Sequence, residues 1–553
     1  MKVRFLGAST SVTGSCHLIT TDNHKFLLDC GQFQGSDDMD ELNAKEFDFD
    51  PAEIEFLILS HAHIDHSGRI PLLVKRGFKG KIYCTDATAD LLTVMLKDSA
   101  SIHARETEWK NRKNQRAGKP LVEPLYTMKD AEAALDQVVP VLYNQLIELN
   151  ESVKVVFNDA GHILGSSIVE LFITENNEVS KIVYSGDLGM TGRPILRDPT
   201  IIKKADYVIM ETTYGNRVHE KNSDSIERLI DIVLKTTRRG GNVIIPSFAV
   251  GRTQELIYQF NRFYEEHSEY KDELKKIMVY VDSPMAISAT EIFRRNAQVF
   301  DDETREYILR GDHPLDFPNL VFTRTSEESV MLNTDPSPKV IISSSGMCEA
   351  GRIKHHLKHN LWNPKSSIVF VGYQARGTLG YSILNGDKKV TIFGEKIHVE
   401  AEIHNLEGFS GHADKNGLLD WLAGFKQPPK QVFLVHGEED AKQEFAKDVK
   451  LVLGYDCTIV EGDTEFTLTK QDVISIDEMK KELVSPEAIF EIKKNIASVH
   501  NALENILYNT HLAMSSDLTP EQITEINNIL ISLEKNTYSL GAVMSLKAGG
   551  SAD

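Results

Sequence analysis

Four potential metal ligands occur within six residues, directly after a predicted buried strand at Glu55–Leu59. The segment reads His61-Ala62-His63-Ile64-Asp65-His66. Core packing does not require such a density of imidazole and carboxylate groups. The first two histidines are two residues apart, so in an extended segment they share a face and can bind one ion together. As the chain turns into the helix that begins near Gly68, the aspartate and the last histidine can point at a second ion. The fold must therefore place a metal site at the end of this strand.

The ligand types indicate which metal such a site would hold. Imidazole and carboxylate groups without thiolate fit zinc first, with manganese and iron as competitors. The five cysteines are isolated and form no Cys-x-x-Cys pair, so we interpret them as buried or idle thiols.

Further candidate ligands recur where other predicted strands end. Taken singly, a histidine or an aspartate in a loop is more often a surface residue or a turn former. Gathered at the ends of neighbouring strands, such residues form one site. The candidates are Asp29, His162, Asp187, Glu211 and His436.

The pattern of strands and helices predicts an α/β protein with an inserted domain. Short β-branched runs alternate with helical stretches up to about residue 212, and a second alternating block typical of an open parallel sheet follows. The alternation of short β-branched runs with helical stretches that is typical of the first block resumes after residue 392. We therefore predict one domain formed by residues 1–212 and 393–474, an insert at 213–392 and a tail at 475–553.

The tail differs from the rest because it carries no strand signal. Its apolar residues recur every three or four positions, from Ile489 to Ile506 and again from Ile523 to Leu533. This spacing predicts a helical hairpin that packs either on the body of the protein or on a second copy of itself, which would make a homodimer.

Charge and apolar content narrow the partners. The net charge of −20 argues against binding of polyanions by the whole surface, so a nucleic acid would need a local basic region. No apolar stretch approaches the roughly 20 residues that a bilayer helix needs, and the first residues lack the apolar run of a secretory signal. We expect no membrane association and a cytoplasmic location.

Two local basic segments are candidates for contact with nucleic acid. Residues 97–119 carry seven lysines and arginines together with Trp109. This segment is either a surface for an RNA backbone or an ordinary solvated helix face. In the second segment, the stripe of His355, His356 and His359 is interpreted as facing RNA rather than as a third metal site.

The motif at His61–His66 resembles the His-x-His-x-Asp-His motif of the metallo-β-lactamase superfamily. The resemblance implies an αββα sandwich with two zinc ions. It assigns His61, His63 and His162 to one zinc, Asp65 and His66 to the other, and Asp187 to a bridging position. It also implies that Asp29 orients a ligand histidine.

Three later motifs resemble those of the β-CASP nucleases, in the same order and around an insert of suitable size. They are Met210–Gly215, Phe409–Asp414 and Val435–Glu438. The resemblance implies a Rossmann-like insert with substrate in the cleft between the domains. A histidine at the third motif, here the candidate ligand His436, is typical of the RNA-processing members, whereas the DNA-repair branch usually has valine.

The expected chemistry is hydrolysis of a phosphodiester. Two ions lower the pKa of a bridging water, and the resulting hydroxide attacks phosphorus. The departing 3′-oxygen needs a general acid, for which His412 is the candidate, with Glu211 positioning its ring. We count Asp65, Glu211 and His412 as catalytic. The resemblance implies 5′-phosphate and 3′-hydroxyl ends.

Loops that follow predicted parallel strands of the insert are candidates for phosphate binding, because backbone N–H groups and helix N-termini hold anions there. The substrate-binding candidates are Ser344, Ser345, Gly346, Arg252, Arg352 and Arg376.

These features together predict a zinc-dependent ribonuclease acting inside single-stranded RNA, with 5′-to-3′ exonuclease action as an additional mode. One alternative is a metallo-hydrolase of a small ester or thioester, with the insert as a lid. The other is a catalytically silent RNA-binding subunit, against which the complete ligand set argues.

Overall fold

The computed structural model describes residues 1–35, 37–219 and 222–468, which belong to one compact unit. The helical tail predicted for 475–553, and with it the predicted dimer contact, lies outside the described residues. Elements are numbered here in chain order.

Twenty-two strands occur in the described residues. They are β1 Lys2–Phe5, β2 His17–Thr20, β3 Lys25–Leu28, β4 Phe56–Ile58, β5 Lys81–Thr85, β6 Val138–Val141, β7 Ile147–Glu148, β8 Val153–Asp159, β9 Ser167–Glu175, β10 Glu178–Tyr184, β11 Tyr207–Glu211, β12 Val243–Pro246, β13 Met278–Val281, β14 Leu320–Phe322, β15 Lys339–Ser343, β16 Ser367–Phe370, β17 Lys389–Ile392, β18 Glu395–His398, β19 Glu402–Asn405, β20 Gln431–Val435, β21 Cys457–Ile459 and β22 Thr464–Thr467.

The same part of the chain contains fifteen α-helices. They are α1 Asp37–Ala44, α2 Ile64–Ser67, α3 Ile70–Lys75, α4 Asp86–Arg116, α5 Met128–Leu135, α6 Asn222–Arg238, α7 Arg252–Glu266, α8 Lys271–Leu274, α9 Pro284–Arg295, α10 Asp302–Leu309, α11 Ser326–Thr334, α12 Ile353–Asn360, α13 Leu379–Leu384, α14 Lys415–Ala423 and α15 Glu439–Val452.

Two seven-stranded mixed sheets form the centre of the first domain. The first has the order β22-β1-β2-β3-β4-β5-β6 and the second β21-β20-β11-β10-β9-β8-β7. Strands β3 to β6 are parallel to one another, as are β10, β11, β20 and β21. Parallel neighbours end at the same edge of a sheet, so the loops that follow these strands are brought together.

Apolar side chains from both sheets form a continuous core between them. Phe5, Phe26 and Phe56 of the first sheet and Phe157 and Phe433 of the second belong to this core and are almost fully buried. The alternation of these residues along their strands puts one face of each sheet inward.

Helices cover the outer faces of both sheets. The buried side chains of Trp421 on α14 and Phe445 on α15 pack on the second sheet, while Leu72 on α3 and Leu91 on α4 belong to the core cluster on the outer face of the first. The predicted αββα sandwich is confirmed.

A third sheet, entirely parallel, forms the centre of the insert. Its order is β14-β13-β15-β12-β16-β19. Helices cover both of its faces, since residues of α6, α7 and α9 pack on one side and residues of α12 and α13 on the other. This is the predicted Rossmann-like arrangement. The sheet extends past residue 392, where the insert was predicted to end, because β19 is hydrogen-bonded to β16.

Residues 457–467 complete the two central sheets. They contain two strands in different sheets, β21 beside β20 and β22 beside β1. Gly462, with a φ of +61°, lies in the turn between them.

None of the helices in the described ranges is long and apolar enough to cross a membrane.

Candidate metal centre and active site

The predicted ligands converge at the carboxyl ends of the strands. The structure places each of them in the loop or terminal residue that follows its strand: Asp29 after β3, His61–His66 after β4, His162 after β8, Asp187 after β10, Glu211 at the end of β11 and His436 after β20. These six segments come from both sheets, so the site lies at one end of the sandwich.

One group of four side chains could hold a metal ion. The ligand atoms of His61, His63, His162 and Asp187 all lie within 4.8 Å of one another. Nδ1 of His63 is 3.2 Å from Nε2 of His61 and 3.2 Å from Nε2 of His162. This is the set expected for one ion.

A second group consists of Asp65, His66 and His436. Nε2 of His436 is 3.1 Å from Nε2 of His66 and 3.5 Å from Oδ2 of Asp65. Here His436 joins the two residues expected for the other ion.

Asp187 lies between the two groups. Its Oδ2 is 3.5 Å from Nε2 of His61 and 3.6 Å from Nε2 of His162, while its Oδ1 is 3.2 Å from Nε2 of His66 and 3.7 Å from Nε2 of His436. Both oxygens are buried and form no hydrogen bond with the described residues. One carboxylate thus faces each group with a separate oxygen, as a bridging ligand would.

The outward nitrogens of these imidazoles have oxygen partners. Nδ1 of His66 lies 2.7 Å from Asp29 Oδ2, and Nδ1 of His162 lies 3.1 Å from the carbonyl of Gly411. Nδ1 of His436 is 3.0 Å from Thr213 Oγ1. A proton on each Nδ1 leaves the lone pair of Nε2 directed into the site, which is the arrangement that metal-binding histidines require. The residues present therefore fit divalent metal ions.

Asp29 is fully buried and holds the loop that carries His66. Besides the imidazole, its carboxylate accepts hydrogen bonds from the backbone N–H and the hydroxyl of Ser60, at 2.7 and 2.8 Å, and from the hydroxyl of Tyr184, at 2.6 Å. Its φ of +59° is unusual for a residue other than glycine and often marks functional sites. The expectation that Asp29 orients a histidine agrees with this geometry.

Burial keeps part of the ligand set neutral. It lowers the pKa of His63 to about 4, and it lowers the pKa values of His61 and His162 well below the ordinary value. These imidazoles are therefore unprotonated at neutral pH and ready to bind a cation.

Asp187 and one histidine carry charge in the metal-free chain. Burial opposes ionisation of Asp187, but His436 and His66 hold its pKa well below the usual range. Burial likewise opposes protonation of His66, but Asp187 and Asp29 hold its pKa well above the usual value. A metal bound at His66 would displace this proton, so metal binding would be coupled to pH.

His412 lies beside the ligand groups with a carboxylate behind it. Its Nδ1 is 3.4 Å from Oε1 of Glu211, and its ring centroid is 4.4 Å from that of His162. Burial alone would lower the pKa of His412, but the charge and hydrogen bond of Glu211 outweigh it and the pKa is raised. A partly exposed imidazolium next to a metal site can donate a proton.

Glu211 is held in place by the main chain. One of its oxygens accepts a hydrogen bond from the N–H of Leu188 at 2.5 Å, and the other accepts one from the N–H of Thr213 at 3.3 Å. The carboxylate is almost fully buried, so it has little freedom to turn away from His412.

Arg252, a predicted substrate contact, lies near His412, but its guanidinium already forms an ion pair within the protein. It is buried and bonded to Glu255, which also binds Arg193. Both guanidinium groups lie close to Gly411. A Cβ atom added to this glycine would be 3.6 Å from Nη1 of Arg193 and 3.6 Å from Nη2 of Arg252. The pair therefore connects the insert to the segment that carries His412.

The other predicted substrate contacts are distributed over the insert. Ser344 Oγ is 2.6 Å from Ser283 Oγ, and Ser345 Oγ accepts hydrogen bonds from backbone N–H groups of its own loop. Gly346 accepts a bond from the amide of Gln374 through its carbonyl. Arg376 is exposed.

Arg352 and His356 bind a buried carboxylate of the insert, unlike their interpretation as RNA contacts, whereas His355 and His359 are exposed. Nη1 of Arg352 donates to Asp282 Oδ1 at 2.6 Å, and Nε2 of His356 is 2.7 Å from Asp282 Oδ2. His356 is fully buried. Of the three histidines in the stripe, His356 thus stabilises the interior of the insert instead of facing substrate.

Several residues around the site were not predicted from sequence. Ser60 and Tyr184 hold Asp29, and Arg193 reaches Glu255 from a loop that carries no strand or motif signal. A serine and a tyrosine at strand ends look like ordinary sheet residues. Only the position of Ser60, next to the ligand segment, could have suggested a role.

Three protein-family models match successive parts of the chain. Residues 18–211 match the metallo-beta-lactamase superfamily domain, residues 253–383 the Beta-Casp domain, and residues 396–460 the Zn-dependent metallo-hydrolase RNA specificity domain. The last of these contains both His412 and His436.

Curated proteins of similar sequence span nearly the whole described region. Ribonuclease TTHA0252 of Thermus thermophilus is 38% identical over 440 residues, which cover 80% of this chain and 94% of that protein. Transcription termination factor FttA of Methanocaldococcus jannaschii is 33% identical over 465 residues, and that of Methanosarcina mazei 31% over 464; each match covers 81% of this chain and 69% of the relative. The chain belongs to the β-CASP family of the metallo-β-lactamase superfamily.

Proposed function

We propose that this protein is a zinc-dependent ribonuclease that hydrolyses phosphodiester bonds within single-stranded RNA, with 5′-to-3′ exonuclease action as a second mode. The observation that carries the proposal is the pair of ligand groups that share Asp187, with the His412–Glu211 pair beside them. Such a constellation provides what hydrolysis of a phosphodiester needs, namely charge stabilisation and a proton donor.

Seven side chains would hold two zinc ions. His61, His63 and His162 would hold one ion and Asp65, His66 and His436 the other, with Asp187 shared. Nitrogen and oxygen ligands without thiolate suit zinc in a hydrolytic site. Two bound ions would supply an activated water and would stabilise the negative charge that develops on the phosphodiester.

The chain itself supplies the proton for the leaving group. The 3′-oxygen departs poorly as an alkoxide, and His412 is placed to protonate it. Glu211 favours the protonated form of the donor, because it raises the pKa of His412 against the effect of burial. Buried and held by two backbone N–H groups, it also fixes the ring position.

Three findings support RNA as the substrate. The family model matched by residues 396–460 is described as an RNA specificity domain. The relative that is 38% identical is a ribonuclease, and the FttA relatives are transcription termination factors. Single strands are favoured because a cleft between two domains accommodates one backbone more readily than a duplex.

The test is cleavage of an end-labelled single-stranded RNA, and of the DNA of the same sequence, by zinc-loaded protein. We expect RNA cleavage that is lost on chelation, and a ladder that shows whether cutting begins internally or at an end. His63→Ala controls for contaminating nuclease, because it removes the candidate ligand whose Nδ1 lies 3.2 Å from the imidazoles of both His61 and His162. Failure to cleave RNA with two metals bound, together with hydrolysis of a small thioester, would overturn the proposal.

A further inference from the structure

Helix α4 extends well beyond the part of it that is packed. Its buried side chains lie between Ala87 and Ala100, where they contact the core. The sixteen residues from Ser101 to Arg116 contribute none. At 1.5 Å per residue, this unburied half is about 24 Å long.

The unburied half has two different faces. One is tied to the chain that follows: Asn111 exchanges two hydrogen bonds of 2.8 Å with Val122, and Asn114 donates one of 3.0 Å to the carbonyl of Pro120. The side chains on the opposite face, spaced as neighbours along a helix, are all exposed. We call this the Trp109 face; it consists of Arg105, Trp109, Arg112, Lys113 and Arg116.

The composition of the Trp109 face is the reverse of what packing would favour. The indole of Trp109 is 60% exposed, although the helix offers a covered face that is occupied by asparagines. The ammonium of Lys113 lies 3.3 Å from the centre of its ring. An exposed aromatic surrounded by cations is the pattern on which nucleic-acid bases stack while phosphates are neutralised.

The local charge contrasts with that of the whole chain. From Arg105 to Lys119 there are six basic and two acidic side chains, a net charge of +4 in a chain of −20. One acidic residue, Glu108, pairs with Arg112. Lys110, Arg116 and Lys119 form no ion pair with the described residues, so their charges are available to a polyanion.

The helix also leads to the candidate active site. It begins at Asp86, and the hydroxyl of Thr88 donates at 2.8 Å to the carbonyl of Gly165, in the loop that carries His162. Trp109 is 21 residues further along, roughly 31 Å by helix rise. RNA that reaches both places must be much longer than a trinucleotide.

We propose that the Trp109 face is a second binding surface for single-stranded RNA, on which one base stacks on Trp109 while the arginines and lysines contact phosphates. The inference rests on the proposed ribonuclease function and adds a docking surface roughly 31 Å along α4 from Thr88, which contacts the loop of His162. Membranes and acidic proteins would also meet the positive charge. RNA fits better, because stacking of a base explains the solvent-facing indole.

Tryptophan fluorescence tests the stacking directly. The chain has three tryptophans, of which Trp421 is buried and Trp362 is 58% exposed in the insert. Titration of metal-loaded protein with a hydrolysis-resistant phosphorothioate single-stranded RNA should quench the emission. The quenching should persist in Trp362→Phe, the matched control, and disappear in Trp109→Phe. Quenching that is unchanged in Trp109→Phe would overturn the proposal.

Binding and kinetics provide a second test. Trp109→Ala should weaken binding of a long single-stranded RNA by about five-fold or more. Arg112→Gln with Arg116→Gln should lower the slope of log Kd against log salt by about 1.4. Both variants should raise KM for long RNA, with kcat and trinucleotide cleavage unchanged.

The outcomes separate the two proposals. If wild-type protein cleaves RNA and the Trp109-face variants match it in binding and KM, the docking surface is wrong and the ribonuclease stands. If wild-type protein cleaves no RNA but its Trp109 emission is still quenched, the surface stands and the nuclease fails. Binding of anionic vesicles without RNA binding would also overturn the surface.

Discussion

At the residue scale, the site depends on which nitrogen of each histidine faces inward. The candidate ligands could be selected from the sequence because they follow apolar runs, and such runs predict strands whose ends lie at one edge of a sheet. The sequence did not identify Tyr184 or Ser60, whose hydroxyls hold Asp29. Tyr184 is 155 positions from Asp29 and reaches it from the other sheet, whereas Ser60 is 31 positions away and follows the neighbouring strand of the same sheet. Neither side chain differs from an ordinary strand or loop residue.

His412→Ala should reduce kcat for RNA cleavage by about 10²–10⁴ while both metals remain bound, because the change removes the proton donor and leaves the ligand groups intact. Single-turnover cleavage and metal analysis of the purified variant measure the two effects. His398→Ala, an exposed histidine on the β17–β18 hairpin, is the control and should behave as wild type. Loss of metal from His412→Ala would mean that His412 is a ligand rather than the acid.

At the element scale, the strand ends were predictable and the connections between domains were not. A β-branched run followed by Asp or His is visible in sequence, and the register of parallel strands then brings such ends together. The contact of Arg193 with Glu255 joins a loop of the sandwich to helix α7 across 62 residues. No local sequence pattern predicts this contact, since an arginine in a loop and a glutamate in a helix are most often solvated.

Glu255→Gln should destabilise the protein by about 3–5 kcal/mol, because it leaves the guanidinium groups of Arg193 and Arg252 buried without a countercharge. Burial opposes the charge on Glu255, but these two arginines hold its pKa below the usual value, so the native carboxylate is ionised. Urea unfolding measures the loss.

Glu265→Gln, an exposed position on the same helix, serves as the control and should change the free energy of unfolding by less than about 0.5 kcal/mol. Equal unfolding free energies for Glu255→Gln and wild type would contradict the view that this buried cluster joins the two domains.

At the scale of the whole molecule, the αββα sandwich and the parallel insert followed from the sequence. The C-terminal boundary of the insert did not follow from the sequence. The run Glu402–Asn405 is short and contains two charged or titratable residues, so it resembles a loop until its pairing with β16 is seen. The helical tail predicted for 475–553 stays a prediction.

Metal-free protein should lose stability as the pH falls from about 6.5 toward 4. Burial lowers the pKa of His17 to about 3 and that of His63 to about 4, so over this window the unfolded chain binds more protons than the folded chain. His66 and His412, whose pKa values are raised, do not change the stability within this pH window. Their stabilising effect is complete below about pH 6.5 and is lost only as the pH rises.

Urea midpoints of chelated protein at pH 7 and pH 5 measure the effect, and the midpoint should be lower at pH 5. His17→Phe removes one of these buried imidazoles without changing a candidate ligand. This substitution should reduce the difference in urea midpoint between pH 7 and pH 5. A midpoint that is equal at the two pH values would contradict the assignment of neutral buried histidines.

The strand that closes the insert has a mechanical consequence. The chain leaves β19 at Asn405, buries Leu406 and Phe409 in the core shared with the insert, and reaches His412 three residues later. Glu211, by contrast, is anchored in the sandwich. His412 is thus held from both directions along the chain, because the N–H of Ala413, directly after it, donates at 2.7 Å to the carbonyl of Leu188 and Ala413 is buried in the core of the second sheet. A displacement of the insert relative to the sandwich would therefore act on the position of the proton donor, while its carboxylate partner would stay in place.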